Sequence, residues 1–284
     1  MNTSIRRLIL VAAVTSFVAG RAQSPAPAPA ALKPVTWPTD VRIDHDVAYL
    51  PGDRAEKADL YFPLTMPKDR RLPAVVIIHG GGFNDGDKAR PRELNIGRTL
   101  ALHGYAGMSI NYRLTAGLDV ATWPQPVYDA KAAVRWLRKN ADRLGLDADR
   151  IAVIGGSAGG NLAAMLAVTG PRDEFDAASP YPGISAAVRC AIDMYGPVDL
   201  LDYHDMKMFA KTRAEAPELY RRASPVTYID AQDAPILILH GTADDTVNVA
   251  QSQNFAALLA KAGAPHELVI IPGAPHTFDL QPEQ

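Results

Sequence analysis

Short runs of apolar and β-branched residues alternate along the chain with longer segments whose apolar positions recur at helical spacing. The runs predict strands over residues 41–49, 58–62, 73–79, 106–111, 151–155, 187–195, 235–240 and 267–271. The longer segments predict helices over residues 93–103, 126–143, 157–168 and 249–262. Because strands and helices alternate, the sequence predicts an α/β fold with a mostly parallel sheet of eight strands and helices on both faces.

Two features of the pattern place strands within the sheet. The run at residues 73–79 is apolar at almost every position, which is typical of a strand buried on both faces. The two leading strands, at residues 41–49 and 58–62, are predicted to form an antiparallel pair. The remaining strands are predicted to run mostly parallel, joined by helical crossovers.

The connection between Tyr195 and Pro235 is too long for a simple crossover. It contains many charged residues and only scattered apolar ones. We predict that residues 197–234 form short helices that lie over the sheet as a small cap. A solvated surface insertion without a role is the alternative, and the sequence does not decide between the two.

The first residues have the pattern of a signal peptide. Two arginines at positions 6 and 7 precede an apolar stretch at residues 8–19, and a small-x-small cleavage pattern ends at residue 22. Residues 23–36 are rich in Pro and Ala and predict an extended linker, so the folded domain is predicted to span residues 37–284. We therefore expect a secreted or periplasmic protein. The apolar stretch is shorter than the about 20 residues that span a bilayer, and we expect no stable membrane insertion.

Composition and charge exclude several classes of protein. The chain has 284 residues, of which 48% are apolar and 21% charged, as in an ordinary globular protein. Lys and Arg number 29 against 31 Asp and Glu, without a basic run, so nucleic acid is not an expected partner. The single cysteine permits neither an internal disulfide nor a thiolate metal cluster. We expect no metal or other cofactor, and the oligomeric state is not predicted.

Residues 155–159 read Gly-Gly-Ser-Ala-Gly between a predicted strand and a predicted helix. A serine on such a tight turn takes up a strained backbone conformation, and the flanking glycines remove side chains that would clash there. Ser157 is therefore the candidate nucleophile. A phosphate or dinucleotide site is the other function of a glycine-rich turn, but neither G-x-G-x-x-G nor G-K-[ST] is present.

A serine nucleophile needs a base within hydrogen-bonding distance. Of seven histidines, His276 is the best candidate, because it follows the last predicted strand in a loop at the carboxyl edge of the sheet. His266 precedes the same strand and is expected at the opposite edge. Two adjacent carboxylates, Asp244 and Asp245, follow the strand at residues 235–240, and either could fix the tautomer of the imidazole.

A run of three glycines follows the strand at residues 73–79, in the sequence His-Gly-Gly-Gly-Phe at residues 79–83. Glycines let backbone N–H groups approach a developing oxyanion without obstruction by side chains. A flexible loop that merely follows a strand is the alternative. The glycine run, the serine turn, the acidic loop and the late histidine together are far more specific than any one of them.

With these residues in place, the chain resembles a serine esterase of the α/β-hydrolase fold. The resemblance is to the hormone-sensitive-lipase-like esterases and to the bacterial esterases related to bifunctional acetyl and feruloyl carbohydrate esterases. It covers roughly residues 40–280 and includes, besides the two glycine motifs, the residues at 111–113, 126–138, 195–197 and 224–226.

The resemblance implies a role for each matching residue. Ser157 would be the nucleophile, His276 the base and Asp244, in the pattern H-G-x-x-D-x-x-V, the acid that orients it. The implied oxyanion donors are the backbone N–H groups of Gly81, Gly82 and Ala158. Four further residues would be structural: His79, which would brace the glycine loop, and Asn111, Arg113 and Asp129. Relatives usually continue past the histidine into another helix, so we expect either that the sequence is truncated or that one face of this sheet is less covered.

These motifs predict a metal-independent serine hydrolase that cleaves short-acyl or aryl carboxylic esters through an acyl-enzyme. Its partner would be a small-molecule ester or an ester on a decorated carbohydrate. Phe83, Trp123 and Tyr195 are candidates to line the substrate pocket, with ordinary core packing as the alternative for each. Two other functions stay open: a prolyl-oligopeptidase-like peptidase, which would need a propeller domain that this chain has no room for, and a non-catalytic binding protein on the same scaffold.

Overall fold

The computed structural model describes residues 35–117, 120–177 and 180–278. The predicted signal peptide and most of the predicted linker lie outside these residues. The described strands form a single sheet of eight, in the spatial order β1-β2-β4-β3-β5-β6-β7-β8. The strands are β1 (Arg42–Val47), β2 (Ala58–Phe62), β3 (Leu72–Ile78), β4 (Ala106–Ile110), β5 (Leu146–Gly156), β6 (Ala191–Met194), β7 (Ile236–Ala243) and β8 (His266–Pro275).

The direction of the strands follows the prediction. The pairs β1–β2 and β2–β4 are antiparallel, and the pairs from β4 through β3 and β5 to β8 are parallel. A parallel pair needs a crossover, which the helices provide. The mostly parallel eight-stranded sheet of an α/β-hydrolase is thus confirmed.

Helices cover both faces of the sheet, but unequally. The helices are α1 (Pro91–Leu102), α2 (Gln125–Lys139), α3 (Ala141–Leu144), α4 (Ala158–Val168), α5 (Glu174–Ala177), α6 (Pro217–Arg222) and α7 (Ala250–Ala262). Helices α2, α4 and α7 contribute to one large core with alternate side chains of β3. On the other face, α1 packs through Ile96 against Val75 and Ile77 of β3. Every residue of α4 is buried, which fits a helix that is apolar all round.

Two predicted elements differ from the observed ones. The helix predicted over residues 126–143 is divided after Lys139 into α2 and α3. The strand predicted over residues 187–195 is only four residues long. Residues 189 and 190 still exchange backbone hydrogen bonds with β5, and the guanidinium of Arg138 donates to the carbonyl groups of Ser185 and Ala187 before them.

The long connection over residues 197–234 is ordered and packs onto the core. It contains α6 and two 3-10 turns, at Lys207–Phe209 and Pro225–Thr227. The buried Asn161 side chain of α4 donates hydrogen bonds to the carbonyl groups of Pro197 and Ala223, at 2.9 and 3.3 Å. The Asn161 amide thereby holds the start of this segment and its residue 223 against α4.

None of the helices in the described ranges combines the length and the apolar character that crossing a bilayer requires.

Candidate active site

Ser157 lies on the turn between β5 and α4, with φ 57° and ψ −122°. This left-handed conformation is rare for a residue with a side chain and is held here by close backbone packing. A Cβ atom at Gly159 would overlap the carbonyl oxygen of Ile78 on β3, so only glycine fits. The Ser157 N–H donates to the carbonyl oxygen of Met194 at 2.9 Å, which fixes the turn to β6. The turn therefore presents the Ser157 hydroxyl at the carboxyl edge of the sheet.

Three predicted residues from distant parts of the chain meet in one hydrogen-bonded series. The Oγ of Ser157 lies 3.1 Å from Nε2 of His276, and Nδ1 of His276 lies 2.7 Å from Oδ2 of Asp244. Because an ionised carboxylate can only accept, the His276 proton resides on Nδ1. Nε2 is then free to accept the Ser157 proton, which is the arrangement of a serine hydrolase.

The Asp244 carboxylate is buried and held by the backbone that follows it. Its Oδ1 accepts hydrogen bonds from the N–H groups of Thr246 and Val247, at 2.9 and 2.8 Å. Burial alone would raise the pKa of Asp244, but the hydrogen bonds from His276 and from the two amides hold it below its ordinary value. Asp245 is exposed and contacts only the Thr246 hydroxyl among the hydrogen bonds seen here.

A second imidazole lies behind Asp244. The buried His240 has its Nε2 2.9 Å from the carbonyl oxygen of Val247 and 3.2 Å from Oδ2 of Asp244. Its Nδ1 lies 2.7 Å from the Ser252 hydroxyl. Burial lowers the pKa of His240, so its neutral form donates from Nε2 to these oxygens. The sequence analysis did not assign this role, and the only signal was the position of His240 four residues before Asp244.

The glycine loop is braced by His79, which is fully buried. Nδ1 of His79 donates to the Gly80 carbonyl oxygen at 2.8 Å, and its ring stacks on Tyr112 with the centroids 4.4 Å apart. Burial lowers the pKa of His79 to about 4, so the ring stays neutral. Gly81 and Gly82 have φ 117° and 60°, which favour glycine.

A cavity of about 440 Å³ opens at Ser157. Its lining residues are Gly80, Gly81, Gly82, Arg90, Pro91, Arg92, Glu93, Ser157, Thr246, His276 and Thr277. The glycine loop, the nucleophile and the base therefore face the same space. Ala158, whose backbone N–H is the third predicted oxyanion donor, directly follows Ser157 as the first residue of α4.

The first turn of α1 supplies a polar wall that the sequence analysis missed. Arg92 donates from Nε and Nη2 to Oε1 of Glu93, at 2.9 and 2.6 Å, and from Nη1 to the Tyr195 hydroxyl at 2.6 Å. The Arg92 side chain is 11% exposed and that of Glu93 1%. No motif marks these residues, because they reach the site through the packing of α1 against the sheet.

The three aromatic residues predicted to line the substrate pocket do not line this cavity. Phe83 and Tyr195 are fully buried, and Trp123 is 8% exposed. Phe83 packs edge-on against Tyr112, Trp123 against two phenylalanines of the core, and Tyr195 against His276. All three rings pack within the core. The cavity wall is formed instead by glycines and by short and charged side chains.

The cavity is also not covered by the long connection. None of the residues that line it comes from residues 197–234. The segment predicted as a cap contacts α4 through Pro197 and Ala223, and its Tyr203 hydroxyl lies 3.3 Å from the carbonyl oxygen of Thr246, which lines the cavity.

Asp129, Asn111 and Arg113 make structural contacts, and only Asp129 of the three is buried. The fully buried Asp129 carboxylate accepts from the Arg54 guanidinium and from the Arg113 backbone N–H, at 2.7 and 2.9 Å. Asn111 accepts from the Lys88 backbone N–H at 2.7 Å through its side-chain oxygen. These bonds join the strands and loops beneath the glycine loop. In the part of the chain that the structure describes, no group of three or more His, Cys, Asp or Glu residues could hold a metal ion.

Comparison with known families and curated proteins is consistent with this geometry. The BD-FAE family matches residues 58–259 of the chain. The esterase LipQ of Mycobacterium tuberculosis is 32% identical over 246 residues, which are 83% of this chain and 57% of LipQ. Ethyl acetate hydrolase of Pseudomonas putida is 31% identical over 72% of this chain and 65% of that protein. The chain thus spans less than two thirds of the length of these curated relatives.

Solved structures of esterases share the fold. A truncated carbohydrate esterase from gut microbiota superposes with a TM-score of 0.77 and 28% identity, covering 84% of this chain and 91% of that one. The thermophilic esterase Est2 of Thermogutta terrifontis gives 0.69 and 29%, covering 84% and 86%. An acetyl ester-xyloside bifunctional hydrolase of Caldicellulosiruptor lactoaceticus gives 0.66 and 26%, covering 79% and 80%. The resemblance to bacterial esterases of the α/β-hydrolase fold is therefore confirmed.

Proposed function

Because the chain belongs to the BD-FAE family of α/β-hydrolases, we propose that it is a serine esterase that hydrolyses carboxylic esters through an acyl-enzyme. One observation carries this proposal. Ser157, His276 and Asp244 form one hydrogen-bonded series at a cavity that is also lined by the glycine loop. A non-catalytic binding protein on the same scaffold would not need Ser157, His276 and Asp244 to be aligned in this way.

The geometry supports the following reaction. The Ser157 oxygen attacks the ester carbonyl carbon while its proton passes to Nε2 of His276. Asp244 stabilises the imidazolium that forms. The negative charge on the carbonyl oxygen is taken up by backbone N–H groups of Gly81, Gly82 and Ala158. His276 then gives the proton to the leaving alcohol, and a water molecule releases the acid from Ser157 by the same steps in reverse.

The cavity favours a short acyl group or an aromatic acid on a water-soluble alcohol. Each buried CH₂ of a longer acyl chain would contribute about 0.8 kcal/mol only against an apolar wall. The wall here is formed by glycines, threonines, charged side chains and Pro91 beside Ser157 and His276, and no long apolar side chain lines it. Esters on carbohydrates are therefore proposed as substrates, and two of the structural neighbours are described as a carbohydrate esterase and an acetyl ester-xyloside bifunctional hydrolase.

A substrate panel tests the proposed function. We expect kcat/KM to be highest for p-nitrophenyl acetate or butyrate and to fall for the decanoate and palmitate, with release of acetate or ferulate from decorated xylan. A maximum at the decanoate or beyond would contradict the assignment to short acyl groups. Absence of turnover on every ester would contradict esterase activity itself.

Export is also proposed, on the arginines, the apolar stretch and the cleavage pattern within residues 1–22. Mass spectrometry of the protein produced in a bacterial host with a periplasm tests it. A mature N-terminus at or near residue 23 in the periplasm or medium is expected. An intact N-terminus in the cytoplasm would contradict export.

A further inference from the structure

The side chain of Tyr195 is fully buried between three parts of the active site. Its ring lies edge-on to the imidazole of His276, with the centroids 4.8 Å apart, and edge-on to Phe278 at 4.9 Å. Its hydroxyl accepts from Nη1 of Arg92 at 2.6 Å. A Cβ on Gly156, the residue before the nucleophile, would lie 2.8 Å from the same hydroxyl. Tyr195 therefore touches the base, the serine turn and α1 together.

His276 lies in the histidine loop, residues 272–277, which is the end of β8 and the turn after it. Four residues of this loop are exposed: Pro272, Gly273, Pro275 and Thr277. The hydrogen bond to Asp244 holds the His276 ring only at Nδ1, so the ring could still tilt and carry Nε2 away from Ser157. A packed ring against the face or edge of the imidazole removes this freedom.

Tyr195 is itself held firmly enough to do this. Its backbone has φ 47°, a conformation that surrounding structure must impose on a residue with a side chain. Its N–H donates to the Leu239 carbonyl oxygen of β7 at 2.8 Å. The Arg92 guanidinium, which donates to the Tyr195 hydroxyl, also donates two hydrogen bonds to the Glu93 carboxylate. The contact on His276 thus has a rigid support in the sheet and in α1.

We propose that Tyr195, held by Arg92, is a positioning residue that keeps the His276 imidazole aligned with the Ser157 hydroxyl. The proposal rests on the proposed esterase function. Tyr195 acts through His276 and does not line the cavity, so it affects the chemical step and not the binding of the ester.

Two variants test the proposal. Tyr195→Leu removes the ring and should lower kcat about 100-fold, the order of loss produced by a catalytic group displaced by about 1 Å. Tyr195→Phe keeps the ring but releases it from Arg92, and we expect a smaller loss of about tenfold. KM should stay unchanged in both. Neither variant relieves the backbone strain, because Leu and Phe tolerate a positive φ no better than Tyr.

Tyr61→Phe is the matched control. Tyr61 is a fully buried tyrosine of β2, and its hydroxyl has no hydrogen-bond partner among the described residues. It packs beneath α1 with Val41 and Ala101 and does not line the cavity. Its kcat and KM should match those of the wild type.

A spectroscopic readout separates positioning from general stability. The ¹H NMR signal of the proton shared by His276 and Asp244 should move or broaden in both Tyr195 variants, recorded below the temperature at which each unfolds, while KM stays near wild type. If the Leu variant does not fold, Tyr195→Phe decides by the same readouts. Wild-type kcat in the folded Tyr195 variants would overturn the positioning role and leave the esterase function intact. A wild-type protein without any esterase activity would overturn both.

Discussion

The serine turn and the histidine loop bring their side chains to the same cavity by different means. Residues 155–159 are fixed by close backbone packing against β3 and β6, where a single added Cβ atom would overlap a neighbouring strand. The histidine loop is largely exposed. Its backbone pairs with β7 at Ala243 and Pro275, but the orientation of the His276 ring depends on the side chains of Asp244 and Tyr195. The nucleophile is therefore positioned by the backbone packing of its turn, and the imidazole by the side chains that contact it.

The largest effect on kcat is expected when His276 loses its hydrogen bond to the Asp244 carboxylate. Asp244→Asn should lower kcat by about 10⁴-fold, because a carboxamide no longer fixes the tautomer of His276 or stabilises the imidazolium. Asp245→Asn is the matched control, and its exposed side chain predicts little change. Steady-state kinetics on p-nitrophenyl acetate measures both. The reverse ranking would assign the role to Asp245.

Backbone packing in the two regions can be compared with a pair of glycine substitutions. Gly159→Ala places a methyl group against the carbonyl oxygens of Ile78 and His79, and should cost about 3 kcal/mol or more of unfolding free energy. Gly273→Ala in the histidine loop meets no atom within 4 Å, so only its φ of 73° opposes the substitution. That cost is about 1–2 kcal/mol. Urea unfolding measures both values, and equal losses would refute the contrast.

The smallest effect concerns Asp193, a buried carboxyl next to the serine turn. Its Oδ1 accepts from the Gly196 N–H at 2.9 Å, and burial raises the pKa of Asp193 to about 7. Between pH about 4 and 7, the folded protein keeps a proton that the unfolded chain releases, so stability falls as the pH rises.

Asp193→Asn imitates the protonated carboxyl and should remove this part of the pH dependence. We expect a gain of about 1 kcal/mol or more at pH 8 and little change near pH 4, measured by urea unfolding at both values. A wild-type pH dependence in the variant would show that Asp193 is ionised in the folded protein at neutral pH.

The contrast between the two regions also explains what the sequence could predict. The alternation of strands and helices, the serine turn and the glycine loop follow from local patterns, because each depends on glycines and apolar runs within a few residues. The choice of His276 and Asp244 follows from their positions after β8 and β7, since the carboxyl ends of parallel strands meet at one edge.

The rest of the site depends on packing between distant elements. Arg92 and Glu93 form the cavity wall only because α1 starts beside the glycine loop. Phe83, Trp123 and Tyr195 are aromatic residues near the site in sequence, but apolar rings in the core and at a pocket look the same in a sequence. The direction in which residues 197–234 pack is set by contacts with Asn161, which no local pattern indicates.

Labelling with a fluorophosphonate tests the central claim most directly, because the reagent reacts with an activated serine and leaves unactivated ones unmodified. Mass spectrometry should find one adduct per wild-type molecule, on Ser157. It should find none in Ser157→Ala, whose kcat should fall about 10⁴-fold or more while the fold is kept. An adduct on another serine, or no adduct on a protein that hydrolyses esters, would contradict the account.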